Sequence, residues 1–312
     1  MATGVLVRAW WLGARIVCRA HTKIALLQAC RSVVALGVLA TVIAPSHATH
    51  LSDAVLDGPT IMAEQVRRHQ QFPYVFEAQT MVLVDESGQR QVRRVHRYMR
   101  VESDQTVKFL MVFVDPDEIR GVALLAVRSP NGDVRNRIYL PAFGAEMKRP
   151  TGNGRTGAFL GTDFAVEDLT VELASEFTYL LTGERIIEDT NYYLVDAYPR
   201  KAAIGKTTSY GLRRHLIRKD NFMITQTDFY DRNLRYIKRL SYHDLHRVYG
   251  ATWRANMLVM NHDRNSHTTL LKIDRRVYSK DYVPPELFEP AYLIANRHIK
   301  NAAVGALESA QP

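Results

Sequence analysis

Residues 114–125 read VDPDEIRGVALL, residues 138–143 read IYLPAF, and residues 157–169 read GAFLGTDFAVEDL. These pieces alternate apolar runs with proline and glycine, a pattern typical of short β-strands joined by tight turns. None of them places a nucleophile beside a base or sets metal-binding residues at a regular spacing. The segment therefore predicts a surface that holds apolar groups rather than a catalytic centre.

Strand-like runs continue on both sides of this segment at intervals of roughly ten residues. They are residues 74–84, 92–101, 107–114, 122–127, 135–140, 192–198, 210–217, 223–230, 234–240, 252–260 and 268–277. Turn signals such as ESG and PNGD separate many of the runs, which together predict one large antiparallel meander. Residues 108–114 are apolar on both sides. Some strands are therefore expected to be covered on both faces of the sheet.

Two helices are predicted. DGP followed by residues 60–71 indicates the first helix, with Asp57 as its N-cap and Pro59 near the first helical position. Residues 164–177 carry apolar side chains at helix-like spacing, which predicts a second helix that covers the sheet. Near the end of the chain, PPELFEP at 284–290 predicts a turn or a short helix.

The first 48 residues differ from the rest of the chain. They contain five basic residues and no acidic one, and an uncharged apolar stretch from 32 to 45 ends at the small residues SHA. This layout predicts a secretory signal peptide that is cleaved after Ala48. The alternative is a retained transmembrane anchor, although the stretch is shorter than the roughly 20 residues that a spanning helix needs. The predicted organisation is a signal peptide (1–48), a single domain (49–295) and a C-terminal tail (296–312).

Removal of that segment changes the charge balance. The full chain has 41 basic and 32 acidic residues and a net charge of +9, whereas 36 basic and 32 acidic residues, a net +4, follow Ala48. No run of lysine or arginine forms a phosphate-binding stripe, so nucleic acid is not expected as a partner. Both cysteines, Cys18 and Cys30, precede the cleavage site, which leaves no disulfide or thiolate site. Such an exported protein suits a bacterial periplasm.

Two further patterns resemble functional motifs. Residues 152–157 read GNGRTG and match G-x-G-x-x-G, but the preceding MKRPT is not a buried strand, so we interpret them as a cationic loop. His243 and His246, like His262 and His267, lack the helical spacing of known zinc hydrolases. We interpret these four as solvated loop histidines, and no metal or cofactor is predicted.

Acidic pairs occur at Asp115 and Asp117 and at Glu167 and Asp168. Carboxylates of this kind are common in turns and at helix starts, so each is expected to be solvated or to cap a helix. The chain has no G-x-S-x-G elbow that would place a serine nucleophile on a strained turn. The sequence therefore predicts that the protein is not an enzyme.

The succession DPD, RG and ALL, then YLPA, then GAFLGTDF and EDL resembles the outer-membrane lipoprotein-sorting-like proteins of the LolA/LolB-like superfamily. Later residues share the resemblance: TQTDFYDRNLRYIK at 225–238, Gly250 and Trp253, TTL at 268–270 and LF at 287–288. The resemblance covers residues 61–293 or thereabouts. It implies a mainly β fold, an incomplete curved antiparallel barrel covered by helices, whose apolar concavity takes acyl chains.

One departure from the family pattern follows the YLPA motif. Where the family has a run of basic residues, this chain has FGAEM before Lys148 and Arg149. A shared charged surface for a partner is therefore not implied at this position.

The resemblance implies a periplasmic carrier that binds the acyl chains of a lipoprotein or lipid and passes them between membranes or to an exporter. The alternative is an accessory subunit, without cargo of its own, of an inner-membrane lipid-exporting transporter, because family members often accompany such transporters. An esterase is a third alternative.

The candidate ligand-binding residues are apolar and aromatic side chains. A curved sheet with a thin helical cover has more apolar inner face than its helices fill, and adaptable side chains line the remaining cavity. We predict that it is lined by Leu110, Val112, Leu124, Tyr139, Phe159, Phe164, Met223 and Met257.

Overall fold

The computed structural model describes residues 56–143, 147–148, 159–170, 174–200, 208–262 and 266–300. The predicted signal peptide and the GNGRTG motif lie outside these residues. Thirteen strands form one sheet. In chain order they are β1 (Tyr74–Val84), β2 (Arg90–Val101), β3 (Val107–Asp115), β4 (Ala123–Arg128), β5 (Val134–Tyr139), β6 (Met147–Lys148), β7 (Phe177–Ile187), β8 (Thr190–Pro199), β9 (Leu212–Arg218), β10 (Ile224–Tyr230), β11 (Tyr236–Tyr249), β12 (Thr252–His262) and β13 (His267–Val277).

The strands follow the order β6-β5-β4-β3-β2-β1-β13-β12-β11-β10-β9-β8-β7, and β1 pairs antiparallel with both β2 and β13. Within the described residues the two edge strands, β6 and β7, do not pair, so the sheet is not closed. Four helices accompany it: α1 (Gly58–His69), α2 (Val166–Leu169), α3 (Pro290–Ile294) and α4 (Arg297–Lys300). The predicted fold class is confirmed as an incomplete, curved antiparallel barrel with few helices.

Each of the eleven runs predicted from the sequence lies in a strand, and most ends agree within two residues. The largest difference is β11, which continues to Tyr249 and therefore contains His243 and His246. These two histidines are strand residues and not loop residues, because their segment pairs along β12 as far as Thr252.

Strand β3 shows why both faces of the sheet are covered. Its side chains alternate, and all five residues from Phe109 to Phe113 are buried. We call the face that carries Phe109, Met111 and Phe113 the inner face, and the face that carries Leu110 and Val112 the outer face. Because every residue in the middle of the strand is apolar, each face needs its own cover.

The C-terminal segment covers the outer face of β1 to β5. Val283, Leu287, Phe288 and Leu293 pack in one buried cluster with outer-face residues of these strands. Helix α4 extends the cover into the predicted tail, where the ring Nε2 of His298 lies 2.9 Å from the carbonyl oxygen of Gly121. The first residues of the predicted tail are therefore part of the packed structure.

Helix α1 covers the inner face at the other end of the sheet. Asp57 caps it, as predicted, by accepting a hydrogen bond from the backbone N–H of Thr60 at 2.8 Å. Ile61 and Met62 pack on the inner-face residues of β7 to β9. The helix approaches so closely that a Cβ atom on Gly58 would lie 2.7 Å from the backbone of Tyr179.

The second predicted helix is mostly wrong. Among the described residues from 164 to 177, only Val166–Leu169 form an α-helix and Ala174–Glu176 form a short 3-10 helix, while Leu173 lies outside the described residues. Phe177 begins strand β7 instead, where Phe177 and Tyr179 point to the inner face and Thr178 and Leu180 are exposed. Pairing of β7 with β8 decides the conformation, because it supplies backbone hydrogen bonds that the apolar spacing alone does not reveal.

None of the helices within the described residues is long and apolar enough to cross a membrane.

We predict that acid destabilises the protein through His215. The ring is buried on β9, where desolvation, aided by the charge of Arg213, lowers its pKa to about 3. In the unfolded chain the imidazole of His215 takes up a proton near pH 6.5, whereas in the folded protein it stays neutral until the pH approaches 3. The contribution of His215 to the free energy of unfolding is therefore fully present above about pH 6.5. As the pH decreases towards 3, this contribution falls by up to about 1.4 kcal/mol per pH unit.

The measurement is the free energy of unfolding between pH 7 and 4. The His215→Gln variant is expected to show a shallower dependence than the wild-type protein, and the matched control His243→Gln removes an imidazole that is exposed. Equal slopes for His215→Gln and the wild-type protein would contradict this assignment.

Candidate functional site

A short segment fills the centre of the inner face. Residues 159–170, which we call the plug segment, contribute Phe159, Phe164, Val166 and Leu169 to the core. Leu169 contacts both the buried cluster of β2 to β4 and the cluster that includes β10 to β13. Strands from β4 across the sheet to β10 thus pack on one segment, which requires the sheet to curve around it.

Three carboxylates attach the plug segment to three strands. Asp163 accepts hydrogen bonds from Thr269 on β13 at 2.7 Å and contacts His267 at 2.7 Å. The other two carboxylates pair with buried cations: Glu167 with Arg213 on β9 at 2.9 Å, and Asp168 with Lys238 on β11 at 2.6 Å.

Glu167 and Asp168 are each expected from the sequence either to be solvated or to cap a helix, and the solvated alternative is wrong for both, because both are buried in ion pairs. The capping role holds for Asp168, which accepts a hydrogen bond from the N–H of Ala165 at 2.7 Å. Asp163 is buried as well. The contact of His267 with Asp163 likewise differs from the interpretation of His267 as a solvated loop residue.

Aromatic rings surround these buried cations. The guanidinium of Arg213 lies 5.2 Å from the ring centroid of Tyr210, and the ammonium of Lys238 lies 5.4 Å from the same centroid. The Tyr210 hydroxyl donates to Asp168 at 3.0 Å. Burial, reinforced by the neighbouring carboxylate charges, raises the pKa of Tyr210 well above its usual value, so the phenol stays a hydrogen-bond donor. The arrangement satisfies the buried charges and does not leave a reactive group open to solvent.

A cavity of about 500 Å³, partly open to solvent, lies on the same inner face beside the plug segment. Its wall has an apolar part formed by Val75, Met99, Val101 and Val107 of β1, β2 and β3. Along β2, Val95 packs with the plug cluster, whereas Met99 and Val101 line the cavity. The plug segment therefore occupies one stretch of the inner face and the cavity the next.

Charged side chains complete the wall of the cavity. Arg97, Arg128, Arg254 and Glu77 line it. Glu77 is held between Arg97 at 3.1 Å and Arg276 at 2.6 Å. Burial opposes ionisation of this carboxyl, but the two guanidinium charges outweigh it, so the pKa of Glu77 lies below its usual value. Glu77 is thus an anion whose charge is already compensated.

The C-terminal end of α1 forms another part of the wall. Nδ1 of His69 accepts a hydrogen bond from the N–H of Trp253 at 3.2 Å, and Nε2 lies 3.0 Å from the carbonyl oxygen of Asn221. These partners assign the neutral imidazole with its proton on Nε2. Burial lowers the pKa of His69, in agreement with that form. The histidine therefore fixes the end of α1 to β12 and to the turn between β9 and β10.

The eight residues predicted to contact a ligand do not form one cluster. Leu110, Val112 and Tyr139 lie on the outer face beneath the C-terminal segment. Leu124 and Phe159 share one inner-face cluster, whereas Phe164 belongs to the adjacent one.

The two methionines of that set lie elsewhere. Met223 is buried in the turn before β10, and Met257 lies on the outer face, paired in register with Lys272. None of the eight residues lines the cavity. Their contact with a ligand remains a prediction.

Within the described residues, side chains that would suggest hydrolysis or metal chemistry do not assemble. Ser241 Oγ lies 2.9 Å from Nε2 of His243 on the outer face of β11. A serine hydrolase also needs a carboxylate that orients the histidine, and no described carboxylate bonds to His243. The described part of the chain contains no group of three or more histidine, cysteine or acidic residues placed to hold a metal ion.

Comparison with known proteins supplies the family. A family model described as an uncharacterized protein matches residues 105–295, more than half of the chain. No curated protein matches the chain. Among solved structures, an outer membrane lipoprotein-sorting protein domain from Vibrio parahaemolyticus has a TM-score of 0.69 and 20% sequence identity, over 76% of this chain and 98% of that chain.

Two further structures share the fold. A DUF1329 family protein from Desulfovibrio piger has a TM-score of 0.64 and 22% identity, over 73% of this chain and 98% of that chain. A LolA superfamily protein from Nitrosomonas europaea has a TM-score of 0.59 and 13% identity, over 75% of this chain and 98% of that chain. Similarity at this level of identity establishes the architecture.

We predict that Asp168→Asn strongly destabilises the protein. The substitution leaves the buried ammonium of Lys238 without its anionic partner, and removal of one member of a buried pair costs about 3–5 kcal/mol. Asp117→Asn is the matched control, because Asp117 pairs with Arg120 at an exposed site where such a pair contributes little.

Chemical denaturation of both variants measures the difference. The double variant Asp168→Asn/Lys238→Met is expected to recover part of the loss, since it removes the uncompensated charge. A loss for Asp168→Asn as small as that for Asp117→Asn would refute the role of this pair.

Proposed function

Because the chain belongs to the family whose model matches residues 105–295 and has the fold of the LolA superfamily, we propose that it is a carrier that binds the acyl chains of a lipoprotein or lipid. The observation that carries the proposal is the cavity on the inner face of the open sheet, with its apolar wall of Val75, Met99, Val101 and Val107. The lipoprotein-sorting description of the Vibrio parahaemolyticus domain supports the same class of cargo.

The cavity has the properties that a reversible acyl-chain site needs. Its volume of about 500 Å³ lies in the usual range of small-molecule sites. Each methylene group moved from water into an apolar site contributes roughly 0.8 kcal/mol, so a few methylene groups already give useful affinity. A site that is partly open holds its cargo less tightly than a closed one, and this suits a protein that must deliver what it binds.

The carrier acts in the periplasm, and it passes acyl chains between membranes or to an inner-membrane exporter. The basic and apolar pattern of residues 1–48 supports export across the inner membrane. A water-filled compartment between two membranes is also where a protein with an apolar cavity is required, because free acyl chains do not cross water at useful concentrations.

We predict that Met99→Glu weakens acyl-chain binding at least about ten-fold, because it places a carboxylate on the apolar wall. Met257→Glu is the matched control, since Met257 lies on the outer face beside Lys272 and not in the cavity. Binding is measured by titration with a fluorescent fatty acid, and thermal unfolding of both variants confirms that they fold.

Native mass spectrometry of protein purified from its own periplasm provides an independent measurement, with co-purified lipid as the expected result. A protein that is purified without lipid and that does not bind fluorescent fatty acids would contradict the proposal and would favour an accessory subunit of a transporter. Weaker binding by Met257→Glu but not by Met99→Glu would place the cargo outside this cavity.

A further inference from the structure

We propose that the cavity recognises an anionic head, a carboxylate or a phosphate, on the molecule whose acyl chain it binds, and that Arg254 is the principal contact. Arg97 and Arg128 stand beside it in the wall of the cavity. The inference rests on the proposed function, since it defines the chemistry of the cargo at the same site.

The first step is the charge of the wall. Three arginines and one glutamate line the cavity, a net charge of +2 with His69 neutral. Glu77 forms its ion pairs with Arg97 and with Arg276, which lies outside the lining, and not with Arg254. A site whose lining combines apolar side chains with a net positive charge is suited to an anionic amphiphile rather than to an uncharged lipid.

The second step is the state of Arg254. The described residues place no carboxylate within ion-pair distance of its guanidinium, whose Nη1 donates to the carbonyl oxygen of Trp253 at 2.9 Å. The guanidinium also lies 5.9 Å from the ring centroid of Phe72, which lines the cavity too. Burial lowers the pKa of Arg254 and the positive charges of Arg276 and Arg97 lower it further, while Tyr278 and Glu77 oppose this change. A bound anion would supply the counter-charge that the fold leaves out.

The third step is the arrangement of the charged and apolar groups. Arg128 pairs in register with Val107 across β3 and β4, and Arg97 precedes Met99 and Val101 on the inner side of β2. Each of these arginines is therefore a direct neighbour of the apolar wall. A single ligand can place methylene groups on the valines and Met99 while its head reaches a guanidinium, which binds carboxylates and phosphates through paired N–H donors.

The experiment compares ligands that share a sixteen-carbon chain and differ in the head: palmitate, hexadecyl phosphate and uncharged hexadecanol. Isothermal titration of the wild-type protein is expected to show both anions binding at least about ten-fold more tightly than the alcohol, which corresponds to one charge-assisted hydrogen-bonded contact. Inorganic phosphate and acetate, titrated alone, show whether the head binds without its chain.

Variants then locate the contact. Arg254→Met is expected to remove most of the preference for the anions, measured as the ratio of their affinities to that of hexadecanol for the same variant. Arg254→Lys is expected to keep part of this preference because the charge remains. Arg94→Met is the matched control: it removes the same charge from an exposed position of β2. Thermal unfolding of each variant reports whether it folds, and the wild-type comparison stands without any variant.

The outcomes separate this inference from the proposed function. Equal affinity of the wild-type protein for palmitate and hexadecanol would contradict the recognition of an anionic head but would remain consistent with the proposed carrier function. If none of the three amphiphiles bound, the proposed carrier function itself would be contradicted. Inorganic phosphate that binds as tightly as hexadecyl phosphate would assign the site to a free anion and reject a lipid head. An equal loss of preference in Arg94→Met would show that only the net charge of the protein matters.

Discussion

Backbone hydrogen bonds hold thirteen strands in one sheet, but they leave its inner face without a cover. The sheet is open, so the inner face cannot be buried by closure alone. Apolar surface left in water would lose the main favourable contribution to folding, so the inner face needs segments that pack on it. Helix α1 covers β7 to β9, and the plug segment covers the centre. The cavity is a part of the inner face that neither of them fills.

The two central parts of the inner face use charge in opposite ways. Around the plug segment each buried cation meets a carboxylate: Arg213 meets Glu167, and Lys238 meets Asp168. Around the cavity the cations outnumber the carboxylates, and Arg254 forms no such pair among the described residues. A balanced set of charges belongs to a core, whereas an unbalanced set in an accessible cavity is typical of a binding site.

The sequence predicts the strands better than it predicts the site. Alternation and turn residues place all eleven predicted runs in strands, because those signals are local. The register between strands is not local. In β3 every central residue is apolar, so nothing in the sequence distinguishes the inner face of Met111 from the outer face of Leu110. For the same reason the sequence groups Leu110 and Val112 with Phe159, which lies on the other side of the sheet. One signal was available: Arg97 shares its strand side with Val95 and Met99, and a charge among apolar neighbours indicates a site.

The attachment of the plug segment also has a mechanical consequence. Its three carboxylates contact β9, β11 and β13. These strands are not neighbours, because β10 and β12 lie between them in the sheet. A flatter sheet would separate the three attachment points and stretch all the contacts together, and a sharper bend would compress them. The position of the plug segment and the curvature of the sheet are therefore coupled to each other. Any force that bends the sheet acts on the segment, and any ligand that pushes the segment bends the sheet.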